Sequence, residues 1–142
     1  MQRFESSTAA GDLLRITLGI MYLTHSVLLK VGTYGFDGTA QYFESIGLPA
    51  ALAYLTIAAE AIGGVLLIAG YKARETAVAL IPILVGALWA HAGNGWVFSN
   101  EGGGWEYPLF LIAVSVAVAL NPGRKLVRRA AEVAAQRAEL AR

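Results

Sequence analysis

Four stretches of this chain, residues 13–31, 49–70, 74–97 and 107–120, are apolar almost throughout. A bilayer core about 30 Å thick takes roughly 20 such residues, coiled as a helix, to cross it. The pattern therefore predicts an all-α fold: a four-transmembrane-helix bundle over residues 1–122, followed by a basic amphipathic helix over 123–142. The last span is the shortest and reaches across only if its ends sit in the interfacial zone. Composition agrees, with 56% hydrophobic residues, 15% charged residues and a mean hydropathy of +0.55, far more apolar than an ordinary soluble domain.

Prolines punctuate the spans. Pro49 and Pro108 suit the first turn of a helix, and Pro122 follows a stop at Asn121, because proline fits a helix start and cannot continue one. Pro82 falls inside the third span, where it removes a donor and is expected to kink the helix. The N-terminus carries Glu5 and Asp12 beside Arg3 and Arg15, and no small-residue cleavage site follows its apolar run, so it does not read as a signal peptide. There is no internal repeat.

Charge sets the expected orientation. Ten of the 11 basic residues fall on one side of the spans, with Lys30 alone on the other, which puts both termini in the cytoplasm by the positive-inside bias. Eight of the 14 aromatics, among them Tyr34, Tyr42, Trp96, Trp105 and Tyr107, then form a belt at the outer interface, with a short surface helix expected around residues 42–46. The tail GRKLVRRAAEVAAQRAELAR reads as an anchor on anionic headgroups, each basic residue contributing on the order of 1 kcal/mol, or else as a docking helix for a soluble partner. Its length and its position next to the membrane argue against nucleic acid. The net charge of +1 favours no partner, and the absence of cysteine excludes disulfides and thiol chemistry by this chain.

Ionisable groups at membrane depth are expensive, about 2.5 to 3.5 kcal/mol for a central charge, and invite a functional reading. His25, Glu60, His91 and Glu106 come one from each span, between the midplane and the outer face. Thr56, Glu60 and Gly64 share a helix face, as do Ala87, His91, Asn94 and Gly95, so small residues beside polar ones would let helices meet. A shared site is one reading. An interhelical hydrogen-bond network, with bonds averaging about 0.6 kcal/mol, is the other. Glu106, ahead of Pro108, could cap the fourth helix through its exposed N–H groups and dipole. Its aromatic neighbours favour the rim of a pocket, with Gly102, Gly103 and Gly104 freeing the preceding loop. Two histidines and two carboxylates could hold a metal, but no pair of them sits three or four residues apart, and no metal is expected. Neither a Ser-His-Asp set nor a phosphate cradle is present.

Taken together, THSVLLK, GTAQYFESIGLPAALAYL, AAEAIGGVLLIAG, HAGNGW and GGGWEYPLFL resemble the DoxX family over roughly residues 13–122. The resemblance implies a four-helix protein of the bacterial cytoplasmic (inner) membrane. Some such proteins are linked to quinone-coupled sulfur oxidation, as the DoxD-type subunit of a thiosulfate:quinone oxidoreductase, and others to oxidative stress or thiol homeostasis. On that resemblance His25, Glu60, His91 and Glu106 occupy the polar motif positions, with Lys30 and Trp105 adjacent. Ser26 departs from the glycine common after the histidine.

The expected function is a membrane subunit that binds a quinone or similar redox molecule. His25, His91, Glu60 and Glu106 would exchange protons with it, and Lys30, Thr56, Asn94 and Trp105 would help hold it. Histidine can donate and accept near neutral pH. Electrons would come from a partner, since no electron-carrying cofactor motif is visible. Two rivals remain: a scaffold recruiting soluble redox enzymes through the tail, and a proton-coupled transporter, which would need a homo-oligomer to supply a second half.

Overall fold

The computed structural model describes the backbone of residues 2–121 and 124–140, and the side-chain surroundings of residues 9–121 and 132–140. The elements are α1 (Gln2–Leu23), a π-helical segment (Thr24–Thr33), α2 (Gly35–Ser45), α3 (Ala50–Ala69), α4 (Ala73–His91), a 3₁₀ turn (Ala92–Asn94), α5 (Glu106–Leu120) and α6 (Arg124–Leu140). Among the described residues there is no strand.

Three helical stretches are long and apolar enough to cross a membrane: Ala9–Thr33, Ala50–Ala69 and Ala73–Asn94. The fourth apolar helix, Glu106–Leu120, has 15 residues and rises about 22 Å at 1.5 Å per residue, short of a full hydrocarbon core. Two expected boundaries need correcting. The third helical stretch ends at Asn94 rather than at residue 97, because Gly95 turns to a φ of 78° that helices do not use. The surface helix is α2, 11 residues long, rather than a few residues around 42–46. Pro82 lies within the unbroken α4. Pro122 lies outside the described residues, as do the side chains of Arg3, Leu126, Val127 and most of the basic tail. Where α6 is described in full, residues 132–140, it is exposed.

Antiparallel neighbours build the bundle. α1 packs on α3, α4 on α5, and the two pairs close through α1–α5 and α3–α4 contacts, while α2 lies against α3 and the π-segment. The core cluster includes Leu18, Tyr22, Leu67, Leu80, Leu84 and Leu111. α1 and α3 cross backbone to backbone. A methyl group on Gly19 would stand 2.7 Å from the Gly64 carbonyl oxygen, and one on Gly64 2.8 Å from that of Gly19. Small residues at such crossings let dispersion act between whole helix surfaces, which lipid-embedded helices need because hydrocarbon gives no hydrophobic drive to associate.

At one end of the bundle, the turn end, α3 stops at Gly70 (φ 73°) and α4 starts after Lys72. Two arginines close helix C-termini there. The Arg15 guanidinium donates to the Leu67 and Ile68 carbonyls at 2.7 and 2.6 Å while its Nε meets Asp12 at 3.0 Å. Arg74 Nε donates to the Ala119 carbonyl at 2.8 Å. Each places a positive group where the last carbonyls of a helix lack partners. The opposite, loop end carries α2 and residues 95–105.

Candidate functional site

The π-segment organises the site. On an α-helix at 3.6 residues per turn, His25 and Lys30 would point about 140° apart. A π-helix closes i→i+5 backbone bonds instead, as the Tyr34 N–H donating to the Leu29 carbonyl at 2.9 Å records. Residues five apart then fall on nearly the same side. Lys30 Nζ reaches Glu60 Oε2 on α3 at 2.5 Å. The two side chains are 20% and 6% exposed, so this is a largely buried ion pair rather than a surface contact. From α2 the buried Thr39 hydroxyl donates to the Lys30 carbonyl at 2.8 Å, fixing the backbone that carries the lysine.

His25, Lys30, Thr56, Glu60 and His91 all line one cavity of about 880 Å³. The rest of its wall is mainly aliphatic and aromatic: Met21, Phe43 and Ile46 toward α1 and α2, Leu55 on α3, Ile83 and Trp89 on α4. His25 stacks on Tyr107 of α5, ring centroids 6.0 Å apart and planes at 25°, which sets the imidazole as part of the wall.

The remaining expected site residues do a different job. Asn94 donates to the Gly102 and Gly103 carbonyls at 2.9 and 3.0 Å. His91 Nδ1 meets the same two oxygens at 2.9 and 3.1 Å; carbonyls only accept, so Nδ1 is the donor in these contacts. Gly102 and Gly103 both sit at φ 78°, a conformation glycine adopts without strain. Glu106 is the first residue of α5, an acidic group in its first turn; its Oε1 accepts the Phe98 N–H at 2.8 Å. Trp105 packs edge-on against Trp96 at 4.4 Å. Residues 95–105 are thus tied down by His91, Asn94 and Glu106, so Glu106 holds the loop from its place in the first turn of α5. Glu106 lines a separate cavity of about 470 Å³ with Trp96, Phe98 and Phe110. Of the four ionisable groups considered together from the sequence, His25, Glu60 and His91 share the larger cavity, and Glu106 stands apart from it. No cluster of three or more His, Cys, Asp or Glu able to hold a metal occurs among the described residues.

Tyr107, expected in the aromatic belt and on the rim of a pocket beside Glu106, does line the cavity. One wall residue was missed from the sequence. Tyr22 is 1% exposed, lines the cavity, and no group of the protein meets its hydroxyl in hydrogen-bonding geometry, although Glu60 and Ser115 are neighbours and Ser115 itself donates to the Leu111 carbonyl. The available signal was its position three residues before His25, which puts a phenol on the same face of a span.

The chain has known relatives. Residues 11–93 match the DoxX family model. A protein of Bacillus subtilis (strain 168) named "Putative oxidoreductase CatD" is 36% identical over 114 residues, 80% of each chain. No solved structure matches. The matched segment runs from α1 through α4 and so contains the π-segment, the Lys30–Glu60 pair and most of the cavity wall; this chain belongs to the DoxX family.

Proposed function

We propose that the protein is a quinone-linked membrane subunit, crossing a bacterial cytoplasmic membrane four times with both termini cytoplasmic, and that its large cavity binds a quinone or a closely similar redox molecule. The observation that carries this reading is one polar wall, His25, Lys30 and Glu60, set into a mostly apolar cavity of about 880 Å³. Small-molecule sites are commonly roughly 300–1,000 Å³, apolar, with a few fixed polar groups. A quinone ring asks for the same combination: flat apolar faces and two carbonyl oxygens that accept hydrogen bonds. His25 and the Lys30 ammonium supply donors, Thr56 adds a hydroxyl, and Glu60 holds Lys30 in place. Two electrons and two protons turn a quinone into a quinol; His25 and Glu60 can pass the protons, and a soluble redox partner supplies the electrons. The name of the Bacillus relative agrees with an oxidoreductase setting.

The orientation follows from ten of the 11 basic residues lying at one end of the spans, which puts the cavity in the outer half of the bilayer. α5 then spans with its entry at the Trp96–Trp105 interface.

His25→Ala is expected to weaken binding of a decyl-substituted benzoquinone to the purified protein by about 10- to 100-fold, the loss of one buried hydrogen bond of ~1–3 kcal/mol. His25→Gln, which keeps a donor, should recover part of it. Circular dichroism and thermal unfolding should match the wild type. Equal affinity for all three proteins would refute the assignment.

A further inference from the structure

α3 and α4 touch closely on the turn-end side of the cavity: a methyl group on Gly63 would stand 2.6 Å from a Leu80 methyl. One turn further along α3 is Glu60, which lines the cavity. Toward the loop end, residues of both helices line that cavity. Leu55 on α3 and Val85, Gly86 and Trp89 on α4 all line the cavity, yet Leu55, Val85 and Trp89 are 62%, 49% and 58% exposed. Wall residues on both helices that also reach the exterior make the cleft between them a side opening of the polar pocket. Every residue named on its rim is apolar. A Cβ added at Gly86 meets nothing within 4 Å, so the cleft is open space there and not a packed seam.

A closed pocket of polar walls would suit a small hydrophilic ligand arriving from water. Here the polar wall lies deep and the opening faces sideways between two spanning helices, where the surroundings are hydrocarbon. We infer that the ligand is an amphiphile, with a ring head at His25, Lys30 and Glu60 and a linear isoprenoid or alkyl tail that leaves through the α3–α4 cleft past Gly86. This rests on the reading of the cavity given above and adds the class of molecule and its route: entry is lateral, from the bilayer. The tail gains little by moving from lipid to an apolar cleft, so the cleft acts chiefly by admitting the tail, and filling it should exclude tailed ligands selectively.

The test compares Gly86→Phe with the wild type in one detergent, using a decyl-substituted benzoquinone and the same ring without the tail. Partitioning into micelles cancels in the ratio of variant to wild type. The helix tolerates the change, since the site is empty and glycine is the poorer helix former; Leu55→Trp, on the facing rim, provides a second plug. The expected result, in both variants, is a drop of about tenfold or more in affinity for the tailed quinone relative to that for the bare ring. Equal weakening of both ligands, or of neither, overturns the tail route while leaving the ring site standing. Failure of the wild type to bind either quinone removes the ring site and the tail route together.

Discussion

Lys30→Met is expected to destabilise the bundle by about 3 kcal/mol, the low end of the ~3–5 kcal/mol that follows when one member of a buried ion pair is removed. Glu60 is the more buried partner, its side chain 6% exposed, and it would be left with a charge and no cation, or forced to take up a proton. The lower figure is appropriate because Lys30 keeps 20% of its side-chain surface, so the pair is not fully cut off from screening. The double variant Lys30→Met with Glu60→Leu should recover most of the loss, since apolar pairs of similar volume replace buried ion pairs at little cost. Equilibrium unfolding in mixed micelles reads both. A single variant as stable as the wild type would show that the pair contributes nothing to the fold.

Gly64→Leu should have a larger effect and abolish the folded bundle. The added side chain has no direction to go: its first carbon would stand 2.8 Å from the Gly19 carbonyl oxygen and 2.9 Å from Leu23. Ordinary overpacking costs about 1–3 kcal/mol; here backbone meets backbone, so α1 and α3 must separate, and Lys30 is drawn away from Glu60 with them. Gly86→Leu is the matched control. It makes the same chemical change in another membrane-spanning helix, where nothing lies within 4 Å, and should leave unfolding unchanged or slightly later. If both variants unfold alike, the crossing at Gly19 and Gly64 is not what joins the helices. The readouts are size-exclusion profile, helicity and unfolding midpoint.

How far the sequence could be read follows from what each signal encodes. Apolar length and proline placement report where a helix starts, stops and lies in depth, so the second span, expected over residues 49–70, emerges as Ala50–Ala69. Depth put His25, Glu60, His91 and Glu106 all between the midplane and the outer face; the first three line one cavity, and Glu106 lines another. Depth says nothing of direction around a helix axis. Spacing on an ideal α-helix separates Lys30 from His25, and only the π-segment brings them to one side; no residue type in THSVLLKVGT announces such a segment. Glu106 could not be placed for a related reason. Its partner is the backbone of Phe98, in a loop whose path is set by positive φ at Gly95, Gly102 and Gly103, and glycine in a sequence signals freedom without saying which conformation is used. Tyr22 was passed over because a tyrosine in an apolar span reads as core, and what distinguishes it, a hydroxyl without a partner, exists only once neighbours are known.

The wider turns between Thr24 and Thr33 change what should be compared among related chains. A relative can keep the histidine and the lysine five residues apart and yet run an ordinary helix through this stretch; its lysine would then point about 140° from the histidine. A relative with one residue fewer between them would have the two only about 40° apart on an ordinary helix, so the count of residues between histidine and lysine has to be read together with the kind of turn that carries them.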